Sequence, residues 1–517
     1  MKKLLLTVMI LGLLLSGCHK KEADPIDDNY RVFYEIFVGS FSDSDNDGTG
    51  DLKGITKRLD YLNDGDINSG KSLGIQGLWL TPVFDSPSYH KYDARDYYSI
   101  DPQFGTMDDL KELVEEAHKR NVLVILDLAI NHSSLQNEWF QKFKDARVNG
   151  KTDDPYYDFY TCVNDETKIG GHTYYAIPGT EWYYEGNFSP DMPEFNYDNQ
   201  TVREEMVNIA KFYLDLGVDG FRFDAAKYIY YLDNEKSVDF WLWYIGKLKE
   251  IKPDIYTVGE VWSGDGETFQ FIKALNCFNF ASSMPEGYIA GAAKSGNVNV
   301  FANYVEQYLH KIHEQNPDAM FVPFIANHDM DRASGYLTVQ AKDAYMAANL
   351  YLLCSGSPFI YYGEEIGLKG SRGSANTDAN RRLAMLWGDN DTVQDPEGST
   401  YDVSKQSNGT VADQLKDKDS LLNYYRKVIA FRNRYPQIAR GEYAMYYLPD
   451  SPMGGFIIEY EGEDSYLFHN TTTQTLSVDL SANEYKPSKV VEAIGQGSAK
   501  SENGVLTLDG QTSVLLK

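Results

Sequence analysis

The sequence predicts an α/β fold: a (β/α)8 TIM barrel with an inserted subdomain after strand 3 and a C-terminal antiparallel β-sandwich. Three observations carry that reading. Short apolar runs alternate with helical patterns until eight strands are counted before residue 440. A stretch rich in Tyr, Asp, Gly and Pro, Ser133–Phe195, interrupts the series after the third strand and shows no helical periodicity. Beyond Arg440 the pattern changes to short alternating runs separated by Gly, Asp, Ser and Asn. The expected divisions are 1–18, a leader; 19–29, a polar tether; 30–132 and 196–439, the barrel; 133–195, the insert; and 440–517, the sandwich.

The elements follow in order. Lys2 and Lys3 precede an apolar run, Leu4–Leu15, too short for a comfortable membrane span and ending in Leu15-Ser16-Gly17-Cys18. Val32–Val38 is the first strand. Leu52–Leu62 reads as one helix and Ile75–Leu80 as the second strand. Thr106 can cap a helix Met107–Arg120, whose Leu110, Leu113, Val114 and Ala117 recur at helical spacing, and Asn121 is a plausible stop before the third strand, Val122–Leu126. The remaining strands are Val218–Phe223, Ile255–Gly259, Cys277–Ala281, Met320–Ala326 and Pro358–Tyr362, with helices that include Thr201–Leu216, Ser237–Ile251 and Ala341–Leu353. Sandwich strands are expected at Tyr443–Leu448, Phe456–Tyr460, Ser465–Asn470, Thr475–Leu480, Val490–Ala493 and Val505–Lys517.

Composition narrows the function. A net charge of −28 argues against nucleic acid and against adhesion to anionic lipid through a basic surface. It suits a soluble extracellular protein with a neutral substrate. The 39 tyrosines and seven tryptophans suit stacking on sugar rings, although aromatics mostly fill cores. Apart from Cys18, the cysteines Cys162, Cys277 and Cys354 are widely spaced and give neither a disulfide framework nor metal-ligand spacing.

Two stretches carry chemistry. In Asp43-Ser44-Asp45-Asn46-Asp47-Gly48-Thr49-Gly50-Asp51, oxygen-bearing residues occupy alternate positions and glycines permit a tight wrap. This reads as a structural calcium loop with Asp43, Asp45, Asp47, the Thr49 carbonyl and Asp51 as ligands; the plain alternative is a solvated acidic turn. It is not an EF-hand, since Gly54 stands where a bidentate glutamate would be needed. The second stretch is Gly217–Tyr228. Along its strand Gly220, Arg222 and Asp224 share one face, and an arginine and an aspartate inside a barrel must pair. Arg222 would then hold Asp224 ionised, as a glycosidase nucleophile requires, and a purely structural ion pair is the competing reading. The strand ends Asp127–His132, Arg222–Asp224, Glu260–Trp262 and Asn327–Asp329 gather three carboxylates, Asp224, Glu260 and Asp329, with Arg222, His132 and His328 at one mouth, a collection that core packing does not need.

In these four segments, in this order, the chain resembles the α-amylase family of glycoside hydrolases. The resemblance spans nearly everything after the tether. It implies Asp224 as nucleophile, Glu260 as general acid/base and Asp329 as the carboxylate that stabilises the transition state. His132 and His328 match the family's sugar-hydroxyl ligands, Tyr92 its stacking tyrosine, and Lys227 a lysine on the leaving-group side; His90 would contact the adjacent glucose. Arg382 sits where relatives have Arg-x-Pro-Met-x-Trp and either supports the sugar site or only the eighth loop. Crowding by Asp224 and Asp329 would raise the pKa of Glu260, which has no adjacent cation in sequence. Ala225 and Lys227 point to α-1,4 endo-hydrolysis of starch and maltooligosaccharides, while the calcium loop resembles one common in oligo-α-1,6-glucosidases. A 4-α-glucanotransferase shares the same residues, and a non-catalytic relative would have lost its carboxylates. The resemblance also implies a further metal site beside Asn131 in calcium-dependent members; here Glu194 and Tyr228 depart from that pattern, so it is not expected. The leader resembles a bacterial lipobox, implying lipidation of Cys18 and attachment to the outer side of the cell membrane; separately, a monomer is expected.

Overall fold

The computed structural model describes residues 22–481 and 485–517; the apolar leader and Cys18 lie outside them. The eight barrel strands are β1 (Phe33–Ile36), β2 (Gly77–Leu80), β3 (Leu123–Leu128), β4 (Gly220–Phe223), β5 (Tyr256–Gly259), β6 (Asn276–Asn279), β7 (Val322–Pro323) and β8 (Phe359–Tyr361). They lie in the order β7-β6-β5-β4-β3-β2-β1-β8, all parallel. Between β7 and β8 the Ser357 amide donates to the Phe321 carbonyl at 2.8 Å, drawing the outer strands together. Parallel strands covered by helices read as continuous apolar runs, and the runs were legible for that reason. Their middles lie where expected, but the ordered ladders are shorter, down to two residues for β7. β3 is the exception, running two residues past the expected end to include Asp127.

The barrel interior holds Phe33, Trp79, Ile125, Tyr256, Val258, Phe278 and Phe359, a closed aromatic plug; Phe33 and Phe359 stack at 4.8 Å. Such filled interiors leave chemistry to the mouth at the strands' C-terminal ends.

Several helices differ from expectation. Leu52–Leu62 is two short helices, Leu52–Lys57 and Leu59–Leu62, broken at Arg58 where φ is −97° and ψ 3°. The helix starting at Met107 carries the expected Thr106 cap, completed into a capping box by Asp109, and stops at His118; Asn121 turns the chain with φ of 56°. The stretch read as lacking helical periodicity contains a helix, Glu138–Val148, capped by Asn137 and burying Phe140, Phe143, Ala146 and Arg147. Three short antiparallel strands, Cys162–Val163, Tyr174–Ala176 and Tyr183–Glu185, follow it.

The C-terminal region forms a five-stranded and a three-stranded antiparallel sheet. The single strand expected over Val505–Lys517 is two, Val505–Leu508 and Thr512–Leu516, which belong to different sheets and are separated by Gln511 with φ of 52°. An additional strand, Ala499–Glu502, pairs with Val505–Leu508 through Asn503-Gly504, both at positive φ as a tight hairpin turn demands. Cys162, Cys277 and Cys354 are free thiols, the last two buried.

Candidate active site

β4 delivers the centre of the site. Gly220 has no alternative: a Cβ there would strike the Tyr256 carbonyl of β5. Two residues on, the same face carries Arg222, whose side chain is 1% exposed. One guanidinium serves three carboxylates: Nη1 reaches Asp127 at 2.8 Å and Asp224 at 2.6 Å, and Nη2 reaches Glu260 at 3.0 Å. Its plane also lies over Trp79, 5.1 Å from the ring centroid. A buried cation with this many partners is retained only because each offsets its lost hydration.

Immediately after Asp224 the chain enters the left-handed region at Ala225, φ 48° and ψ 38°. A non-glycine residue there costs on the order of 1 kcal/mol or more. The strained turn aims the Ala225 amide at Glu260 Oε2, 3.1 Å away, while the Ala226 amide donates to the Glu260 carbonyl at 3.0 Å. Asp224 and Glu260 are thus fixed to one another by backbone as well as by Arg222.

Asp329 sits across the mouth. Arg382 Nη2 holds it at 2.6 Å and His328 Nε2 at 3.1 Å. Arg382 also donates to the Tyr89 hydroxyl at 3.0 Å and to the His328 carbonyl at 3.1 Å. Of the two places open to it from sequence, it takes the one in the site. His328 is gripped from its other side by Glu35, 2.6 Å from Nδ1, and Tyr92 stacks on its ring at 5.5 Å and 13°. The Tyr92 hydroxyl donates to Asp127 at 2.8 Å and lies 2.7 Å from His328 Nε2.

These contacts spread the protonation states. Burial opposes ionisation of Asp329, yet His328 and Arg382 hold its carboxyl well below the usual range. Burial pulls His328 down, but Asp329 and Glu35 override it and hold the imidazole up to about 10. Burial, with Asp224 and Asp329 adding to it, pushes Glu260 up to about 7 against the pull of Arg222. One expectation is refined here and one changes. Burial leads the shift at Glu260, with the expected crowding by Asp224 and Asp329 adding to it, and the cation absent from its neighbours in sequence is brought from β4. Asp224 is raised from its ordinary value, because burial outweighs the lowering by Arg222 on which the sequence reading relied.

His132 is buried, its Nε2 has no hydrogen-bond partner among the described residues, and burial pushes it down to about 4. His90 is likewise pushed down to about 4, chiefly by burial; its Nδ1 accepts the Tyr92 amide at 3.1 Å. Lys227 stands apart, 3.4 Å from Glu267 and above the Tyr228 ring. Sequence reasoning missed Glu35, Asp127, Trp79 and Tyr89. The signal for the first two was present: a carboxylate on an apolar barrel strand must have a buried partner.

In the acidic loop, Asp43, Asp45 and Asp51 each present an oxygen within 4.8 Å of the others. Three carboxylates with no nitrogen or sulfur donor suit a hard cation such as calcium. Asp47 and Thr49 lie on the same wrap but outside that group; Asp47 Oδ1 instead accepts the Thr49 amide at 2.7 Å. The eighth barrel loop, unforeseen here, ties the wrap down: Thr392 donates to Asp43 at 2.6 Å, and Asp391 accepts the Asp43 amide at 3.1 Å. Glu194, near Asn131, accepts the Asn187 amide at 2.9 Å and is pushed up to about 8 by burial and by Glu185.

Comparison with known proteins adds the family. The model of the α-amylase catalytic domain matches residues 35–441. The chain is 33% identical to Alpha-amylase 3 of Dictyoglomus thermophilum over 100% of this chain and 98% of that protein. It is 32% identical to a 4-alpha-glucanotransferase of Thermotoga maritima, over 80% of this chain and 89% of the relative. The solved structure of Eubacterium rectale Amy13B superposes with a TM-score of 0.88 at 34% identity, covering 96% of this chain and 97% of that one.

Proposed function

The chain belongs to the α-amylase family of glycoside hydrolases, and from that premise we propose that it hydrolyses internal α-1,4-glucosidic bonds of starch and maltooligosaccharides with retention of configuration. The observation that carries this reading is the division of labour among carboxyls at one barrel mouth: Asp224 on Arg222 at 2.6 Å, Glu260 pushed up to about 7, and Asp329 held low. A retaining glycosidase needs one carboxylate to attack and one carboxylic acid to protonate the leaving oxygen. Asp224, ion-paired to Arg222, attacks the anomeric carbon as Glu260 gives its proton to the departing glucosidic oxygen. The covalent glycosyl ester then meets a water whose proton passes to Glu260, and its oxygen displaces Asp224 to release the sugar in the α-configuration. Asp329, fixed by Arg382 and His328, faces the positive charge that develops between these steps. His132, neutral and with an unpartnered Nε2, and Tyr92 would hold the reacting ring; His90 would touch the next, and Lys227 the leaving side.

Product analysis on soluble starch, pullulan and isomaltose, with Asp224→Asn as the blank, tests this. Mixed maltooligosaccharides from starch with isomaltose untouched is the expected result; glucose from isomaltose with starch intact would make the protein an oligo-α-1,6-glucosidase. The similarity to a glucanotransferase favours a second reading, in which a sugar hydroxyl replaces water as acceptor. Counting reducing ends separates them, since pure transfer leaves their number unchanged.

Calcium would be held by Asp43, Asp45 and Asp51, with Asp47 and the Thr49 carbonyl completing the wrap. Its role is structural: the loop's tie to Asp391 and Thr392 joins the first and eighth barrel loops. We place the protein on the outer face of the cell membrane, a monomer anchored only through lipidated Cys18. A Cys18→Ser protein that remained membrane-bound would refute that.

A further inference from the structure

Asp329 acts by facing positive charge, so its effect depends on where its oxygens stand. Arg382 fixes the carboxylate end. The residue before it, Arg381, grips the other end: its Nη1 donates to the Asp329 main-chain carbonyl at 2.7 Å. Arg381 closes the short helical turn Asp378–Arg381 and is itself held, by Asp331 at 2.8 Å on Nε and by Asp378 at 2.8 Å on Nη1.

The loop that carries Asp329 holds the turn in return. Three residues on, Arg332 is 2% exposed and donates through Nε to the Arg381 carbonyl at 2.8 Å. Its Nη1 donates to the Tyr362 carbonyl, just past β8, at 2.6 Å. Its guanidinium lies over the Tyr361 and Tyr362 rings, 4.2 and 4.6 Å from their centroids. The Tyr361 hydroxyl gives the Arg381 carbonyl a second donor at 3.1 Å. These acceptors are main-chain carbonyls, so Arg332 fixes the path of the chain rather than balancing a charge. Each arginine thus donates to the main chain of the segment that carries the other, a reciprocal clasp closed around Asp329.

We propose that Arg381 and Arg332 are positioning residues for the cleavage: their clasp sets the Asp329 carboxylate against the charge that develops at the anomeric carbon. The proposal rests on the glycosidase reading above and adds the residues that place its charge-stabilising carboxylate.

The test uses Arg381→Ala, Arg381→Lys, Arg332→Lys and Tyr361→Phe, with thermal melting of each. kcat and KM are measured on maltooligosaccharides. Affinity is measured in the Asp224→Asn background for maltotetraose and for an analogue with a protonated amine at the cleaved position. Misplacement by about 1 Å can cost about 10²-fold. Arg381→Ala should lower kcat about tenfold with KM within about twofold, the pattern of a contact made only in the transition state. It should weaken the cationic analogue about tenfold and leave maltotetraose unchanged. Charge alone predicts the opposite, since removing a cation from the mouth would strengthen binding of a cationic ligand. Arg381→Lys should recover part, because an ammonium lacks the fork that reaches carbonyl and carboxylates together. Arg332→Lys should repeat the pattern, and Tyr361→Phe, which removes one donor and keeps the ring, should repeat it at about two- to threefold. A raised KM with kcat intact would make Arg381 a substrate contact and overturn the clasp. Equal losses for the charged and neutral ligands, or an unchanged kcat with lowered melting, would overturn it as well. A wild-type protein that left maltooligosaccharides uncut would refute the α-1,4 reading instead; the same ratios on the glucoside it does cut would still read the clasp.

Discussion

Glu260→Gln tests the assignment of the proton donor with little disturbance to the fold. Glu260 accepts the Ala225 amide at 3.1 Å and faces Arg222 Nη2 at 3.0 Å through the same oxygen. The amide oxygen of glutamine can take both, so the strained turn after Asp224 keeps its anchor. What disappears is the proton. General acid catalysis contributes about 10²–10⁴-fold, or about 2.7–5.5 kcal/mol of barrier, and that is the loss expected in kcat/KM on maltooligosaccharides. On α-maltosyl fluoride, whose leaving group needs no protonation, the first step should be nearly unimpaired. The pH profile supplies a second readout. Because Glu260 is pushed up to about 7, the protonated form it must supply is present below that pH and lost above it. Wild-type kcat/KM should therefore fall about tenfold for each unit beyond an apparent pKa of about 7, and the variant should lack that limb. Equal losses on both substrates, or an alkaline limb that persists in the variant, would refute Glu260 as the acid.

Three more outcomes follow from the same contacts. His328 is held up to about 10, above its unfolded value of about 6.5. Its contribution to stability is thus complete below the unfolded value and is lost as pH rises through about 10; thermal melting should decline across that window, and His328→Gln should flatten this part of the profile. Arg382→Ala removes the closest cation from Asp329, and since a hydrogen bond between charged groups is worth about 1.5–3 kcal/mol, kcat/KM should fall about 10–100-fold, with Arg382→Lys recovering part; an unchanged value would place Arg382 outside catalysis. Stripping calcium with a chelator should lower the melting temperature, by the equivalent of about 2.7 kcal/mol if the ion was present at 100 times its Kd; Asp43→Asn combined with Asp45→Asn should abolish the difference, and a chelator-insensitive wild type would make the loop an ordinary acidic turn.

The parts of this molecule that were legible in sequence are those where one stretch of chain suffices. Val258 and its neighbours are apolar because their strand is covered on both sides, and Asp224 stands out because it follows Arg222 on the same face. What was hidden depends on pairing between distant segments. Glu35 lies on β1 and its partner His328 beyond β7; nothing local to either names the other. Asp127 stood just past the strand expected over Val122–Leu126, and only its inclusion in β3 showed that it meets Arg222. The cation beside Glu260 comes from the neighbouring strand for the same reason. The helix Glu138–Val148 escaped notice because Arg147, a charged residue, completes its buried face, stacked over Tyr157 and Trp182.

The claim on which everything else depends is that Asp224 forms a covalent bond to the sugar. Incubating the protein with a fluorinated α-glucosyl fluoride that slows the second step, followed by proteolysis and mass spectrometry, tests it most directly. The account predicts one added sugar on the peptide containing Asp224, absent from Asp224→Asn. A sugar on another carboxylate, or no adduct together with product of inverted configuration in an NMR time course, would contradict it.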